Sequence, residues 1–137
     1  MTTFYFASAY NFPGKPGEGA AVAGRIIKAI CEATGWECTS HWPFDWKHGE
    51  TFYAKQAAET DLADIRAADM LIFAPTTTTS RGTHVELGYA LALGKQIYGW
   101  RPAGIEGTAF DSQVTALPPE IAQFIERELA PRTSEEA

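Results

Sequence analysis

The sequence predicts a doubly wound α/β domain: a sheet of about four to five mainly parallel strands with helices on both faces. Three observations carry this. Strand-type and helix-type segments alternate along the 137 residues. Residues 70–74 (MLIFA) form a short, continuous apolar run, the pattern of a strand buried on both faces. Gly35 and Gly94 each follow a helix-type segment, where a helix C-terminus favours glycine.

The elements follow in order. Residues 3–9 are a strand-type run rich in aromatics, and Pro and Gly in NFPGKPGEG then stop regular structure. Residues 19–34 place Val22, Ile26, Ile27 and Ile30 at helical spacing. Residues 36–42 read as a second strand, and 43–49 as a loop with two more aromatics and a histidine. Residues 52–68 read as a helix with Ala57, Ala58, Leu62, Ile65 and Ala68 on one side. After strand 70–74 come the polar loop TTTTS, a helix over 83–93 and a strand over 96–100. Residues 101–118 read as irregular, 119–129 as a last amphipathic helix and 131–137 as a frayed tail. Residues 1–130 therefore read as one domain of the flavodoxin/Rossmann-like kind, whose ligands bind beyond the carboxyl ends of the strands.

Composition narrows the partners. Hydrophobic residues make up 45%, enough for a core. The net charge is −6 and there is no basic stripe, which argues against a nucleic-acid surface. No apolar run approaches the roughly 20 residues a membrane helix needs. No basic segment followed by an apolar stretch opens the chain, so a soluble cytoplasmic protein is expected. Cys31 and Cys38 form no disulfide framework or metal cluster and read as reduced, half-buried thiols.

Element lengths place two carboxylates at the ligand-binding edge. The helix before strand 70–74 runs antiparallel to it, with Asp69 in the turn at the bottom of the sheet. Asp61 lies about 12 Å up that helix at ~1.5 Å per residue. The strand climbs a similar height at ~3.3 Å per residue. Asp61 should therefore lie near its carboxyl end, the end from which TTTTSRG leaves toward Glu86. Each residue also has a plainer reading. Thr83-His84-Val85-Glu86 fits a capping box, with Glu86 in the first helical turn. Asp61 fits a solvated charge on a helix face.

The stretches Asp61-LADIRAA-Asp69-MLIFAP and Ser80-RGTHV-Glu86-LGYALALGKQI resemble the nucleoside 2-deoxyribosyltransferase family, which includes 2′-deoxynucleoside 5′-monophosphate N-glycosidases. The opening FYFASAY, with Tyr5, resembles the family's first strand and the small-residue turn after it. The likeness covers about two thirds of the chain and is weak in the Pro-Gly loop and beyond Arg101. It implies Glu86 as nucleophile on the anomeric carbon, Asp61 as the acid handling the proton of the departing base, and Tyr5 as the residue orienting Glu86. It implies Ser80 as a substrate-contacting position, and Ser8, Tyr10, Gly82 and Trp42 are further candidates for substrate binding. Family transferases carry an Asp where this chain has Ser80; in the monophosphate N-glycosidases a serine there binds the 5′-phosphate. The family's arginine-glycine phosphate loop is replaced by NFPGKPGEG, which offers only Lys15 and backbone amides. The resemblance implies no cofactor, a nucleoside or nucleotide substrate, and a homodimer or larger homo-oligomer. The rival reading is a catalytically inactive nucleotide-binding module of the same fold.

The chemistry suits these residue types. Departure of a nucleobase builds oxocarbenium character that a carboxylate can stabilise and then trap, while a second acid protonates the base. Tyr10, Trp42, Phe44 and Trp46 are candidates for base stacking or for ordinary packing. Other signals fail. His84-Val85-Glu86 lacks the P-C-x-x-C partner of a zinc deaminase. His41 and His48 have no ligand spacing and read as loop residues. The glycines from Gly14 to Gly19 form neither a P-loop nor a full dinucleotide fingerprint.

Overall fold

The computed structural model describes residues 1–45, 47–76, 81–101 and 112–136, with side chains up to residue 129. Five strands form one sheet: β1 (Thr3–Ala7), β2 (Glu37–Cys38), β3 (Met70–Phe73), β4 (Gln96–Gly99) and β5 (Thr115–Ala116). Their order is β2-β1-β3-β4-β5 and every pairing is parallel. This is the flavodoxin-like order, with its switch point between β1 and β3. The helices are α1 (Glu18–Thr34), α2 (Ala54–Ala67), α3 (Arg81–Ala92) and α4 (Pro119–Glu136). A 3-10 turn over Thr51–Tyr53 leads into α2. α1 packs with α4, and α2 with α3, so the sheet is covered on both faces.

The central strands are buried as their apolar runs require. Phe4, Tyr5, Phe6 and Ala7 of β1, and Leu71 and Ile72 of β3, have no exposed surface. Gly35 closes α1 in the left-handed conformation (φ +77°) and its amide bonds the Cys31 carbonyl. Asp69 sits at the bottom of the sheet, where its carboxylate accepts from the Thr3 amide at 2.9 Å. That bond holds its pKa below the usual carboxylate value. Cys31 and Cys38 are free, half-buried thiols whose pKa values burial pushes up.

Five sequence expectations are corrected. The second strand spans only Glu37–Cys38, because side chains take over its pairing with β1. The Phe6 amide donates to the Ser40 hydroxyl (2.8 Å), and the Trp42 indole N–H donates to the Phe6 carbonyl (2.8 Å). Within the segment read as irregular lies β5, two residues paired to the end of β4 and too short to show a period. The supposed apolar side of α2 is buried only at Ile65 and, just past its end, at Ala68; Ala58 is exposed and Leu62 half-exposed. Finally, α3 starts at Arg81, three residues earlier than the capping box demands, so Thr83 lies inside the helix. Glu86 therefore sits beyond the first turn, buried, and is not a cap. α4 also runs past residue 129, to Glu136.

Candidate active site

A cleft of about 480 Å³ opens at the carboxyl ends of β1 and β3, between α2 and α3. Its walls come from three segments. The chain leaving β1 supplies Ser8, Tyr10 and Asn11; α2 supplies Ala58, Asp61 and Leu62; α3 supplies Gly82, Thr83, Val85 and Glu86. Trp42 and His48 close it from the loop after β2.

Local sequence explains the wall after β1. Ser8 ends the climb of β1 and its hydroxyl bonds the Ala74 carbonyl at 2.8 Å, which ties the tops of β1 and β3 together. The Asn11 side chain accepts from the Gly17 amide at 2.7 Å and folds the Pro-Gly loop back on α1. α1 can then press against the strand end because Gly19 has no side chain. A Cβ there would lie 2.0 Å from the Ala9 carbonyl oxygen.

At the floor of the cleft three predicted residues meet. The hydroxyl of the fully buried Tyr5, on β1, donates to Glu86 Oε2. The Asp61 carboxyl lies close enough to Glu86 to act on its ionisation. Burial, first, and the charge of Asp61, second, push the Glu86 pKa well above the usual carboxylate value; the Tyr5 hydroxyl bond opposes them. Burial and the two carboxylates raise the Tyr5 pKa in turn, so its hydroxyl stays a proton donor. Asp61 Oδ1 is buried and has no fixed donor. Two neighbouring acids whose surroundings differ are the arrangement by which one carboxyl can serve as acid and another as nucleophile.

The remaining predicted residues divide. Ser8, Tyr10, Trp42 and Gly82 line this cleft. Ser80 and Trp46 lie outside the described residues. Phe44 is exposed and faces Gly24 of α1 rather than the cleft. Lys15 is exposed in the turn before α1 and does not line the cleft. Sequence reasoning missed His48, which it set aside as a loop residue. Its ring stacks on Tyr10 (centroids 5.5 Å apart, planes at 21°) and its Nε2 lies 3.1 Å from Asp61 Oδ2. The available signal was its place in the aromatic loop after β2, which must end at the carboxyl edge of a parallel sheet. His41 does not enter the cleft; its Nδ1 and amide bond the buried Asp64 one turn along α2. Among the described residues, no three His, Cys, Asp or Glu side chains are placed to hold a metal ion.

An acid pair at the switch point of a flavodoxin-like sheet, with a phenol on one acid, defines a two-carboxylate site in an α/β enzyme fold. The nucleoside 2-deoxyribosyltransferase family model matches residues 4–116, and the chain belongs to that family. Membership brings nucleoside deoxyribosyltransferase-type activity on a small-molecule nucleoside substrate. No curated protein matches the chain closely enough to be named as a relative. No helix among the described residues is long and apolar enough to cross a membrane.

Proposed function

We propose that this protein cleaves or transfers the N-glycosidic bond of a (deoxy)nucleoside or its 5′-monophosphate through a glycosyl-enzyme on Glu86. The observation that carries the reading is the buried Glu86–Asp61 pair with the Tyr5 hydroxyl on Glu86. The first step requires one proton on the pair. Transfer of that proton to Asp61 leaves Glu86 as a carboxylate, stabilised by Tyr5. The carboxylate attacks the anomeric carbon. The carbon–nitrogen bond breaks, its electrons go to the base nitrogen, and Asp61 delivers the proton. Water or a second base then attacks the anomeric carbon, the ester electrons return to Glu86, and Asp61 takes the proton of the incoming group. Two displacements retain the configuration. No cofactor takes part in these steps.

Tyr10, Trp42 and His48 are the proposed faces for a nucleobase and Ser8 and Gly82 the proposed contacts for the sugar; all five line the cleft. Ser80, just before α3, is assigned to a 5′-phosphate. On that assignment Ser80→Ala weakens monophosphates more than free nucleosides; equal losses would remove it. Val85 (65% exposed) and Ala58 border the cleft in the isolated chain, in keeping with a homodimer or larger assembly whose partner covers this rim. The expected location is the cytoplasm.

The deciding assay offers each nucleoside and monophosphate, ribo and deoxy, with and without a second base. Free base from water alone marks a hydrolase, and a new nucleoside only when a second base is present marks a transferase. Binding with no base release from any substrate would instead mark a catalytically idle nucleotide-binding module.

A further inference from the structure

We infer that His48 is the positioning residue of the acid Asp61: its Nε2–H holds Oδ2, so that Oδ1 is the oxygen that passes the proton. This rests on the two-acid reading above and adds a residue to it. Asp61 sits mid-helix on a half-open wall, and nothing in α2 itself fixes its carboxyl group. Its Oδ2 meets His48 Nε2 at 3.1 Å, while Oδ1 is buried with no fixed donor. A carboxyl held by one oxygen keeps the other for the substrate and for Glu86.

The histidine is itself held. Its side chain is 10% exposed, and its ring lies flat against Tyr10 and tilted to Trp42, with centroids 6.4 Å apart. The Trp42 indole is pinned to the Phe6 carbonyl of β1, and the His48 amide to the Asp45 carbonyl. Gly49 completes the seat, since a Cβ there would stand 2.3 Å from the Tyr10 ring. The clamp thus runs from the central strand, through Trp42 and His48, to Asp61. A second Asp–His pair on the same helix, Asp64 with His41, has both carboxylate oxygens engaged and a His41 side chain 72% exposed. Of the two pairs, that of Asp61 faces the cleft and leaves an oxygen free.

In the step concerned, the bond from C1′ to the base nitrogen breaks with its electrons on nitrogen. That nitrogen takes the proton from Asp61 Oδ1, and water or the accepting base later returns a proton to the same oxygen. A nitrophenyl (deoxy)riboside leaves as nitrophenolate and needs no such proton. The experiment therefore compares His48→Phe, which keeps a ring against Tyr10, with His48→Gln, whose amide can still donate to Oδ2. Turnover is measured on a cleaved nucleoside or nucleotide and on the nitrophenyl substrate.

Loss of one hydrogen bond to a charged group predicts a fall of about 10- to 150-fold in kcat for the nucleobase substrate with His48→Phe. This fall should exceed that on the nitrophenyl substrate by about tenfold or more, and His48→Gln should recover most of it. Equal losses on both substrates, or no recovery with glutamine, would overturn the assignment. Nitrogen NMR of the histidine rings supplies a readout that needs no turnover. The wild type should keep a slowly exchanging proton on His48 Nε2 that disappears in Asp61→Ala. If wild type releases base from no substrate, the proposed function falls and this signal alone decides the clamp: its absence overturns it.

Discussion

The two faces of the sheet are built for different ends. On one, α1 buries Gly19, Ala20, Val22, Ala23, Ile26, Ile27 and Ile30, and α4 adds Ile121, Ile125 and Leu129. On the other, α2 buries only Asp64 and Ile65, and α3 buries Thr83 and Glu86 beside Leu87 and Ala90. The first face is a dry apolar layer. The second gives up apolar burial to hold carboxyl groups near the sheet and to leave a cleft above it. Burial of apolar surface drives folding, whereas a buried acid costs stability unless it is protonated or well bonded. Stability should therefore be concentrated on the α1–α4 face and chemistry on the α2–α3 face, which a set of substitutions can pull apart.

The largest effect should come from Glu86→Gln. Glutamine keeps the shape of the side chain and can still accept from Tyr5, so the fold should persist. It cannot form the glycosyl ester, and turnover should fall on the order of 10³- to 10⁶-fold. Circular dichroism and base release, measured together, check both halves. A variant with wild-type turnover would remove Glu86 from the chemistry.

The opposite outcome is expected from Ile26→Ala, which acts on the dry face. Ile26 has no exposed surface, and its truncation should cost about 2–5 kcal/mol of unfolding free energy. Turnover per folded molecule should hold. Denaturant unfolding alongside the assay separates the two, and a loss of turnover in the folded fraction would join the faces that the comparison separates.

Smaller again is Tyr5→Phe, at the boundary between the faces. Tyr5 belongs to the core strand, and phenylalanine keeps its ring. Only the donor to Glu86 is lost, at a cost of about 10- to 150-fold in kcat for a bond to a charged group. That bond lowers the Glu86 pKa, so its removal should also move the Glu86 ionisation, and the rising limb of the rate profile, to higher pH. A pH–rate profile of both proteins tests the shift.

The same division governs how far the sequence could be read. The α1 face obeys periodicity, and its helix, its glycine stop and the buried run of β3 were legible as patterns. The placement of Asp61 near Glu86 followed from the lengths of one helix and one strand, which are close to fixed. Cleft features were less legible. Ser40 and Trp42 replace backbone pairing with side-chain bonds, so residues of strand-like composition beyond Cys38 are not strand. Ala58 and Leu62 have core-like identity but line the cleft. The capping-box spacing at Thr83 is the same whether the helix begins there or at Arg81, and only the fold shows which. His48 is a loop histidine without periodicity, and its meaning comes wholly from what it touches.

The smallest effect concerns how acid the solution must be for the α2–α3 face to cost least. Burial raises the Glu86 pKa above its unfolded value, so below the usual carboxylate range Glu86 is protonated in both states and carries no penalty. As pH rises past that range, the unfolded chain ionises first and the folded protein holds the extra proton. Stability drawn from this group is then lost progressively until the raised folded pKa is passed. Glu86→Gln abolishes the titration. The two proteins should therefore differ little at acid pH, and the glutamine variant should gain on wild type as the pH rises above the ordinary carboxylate range. Thermal unfolding across that range tests it. A wild-type stability that climbs relative to the variant would mean that Glu86 is better stabilised ionised than neutral in the free site. The proton would then have to reach Asp61 from outside the pair.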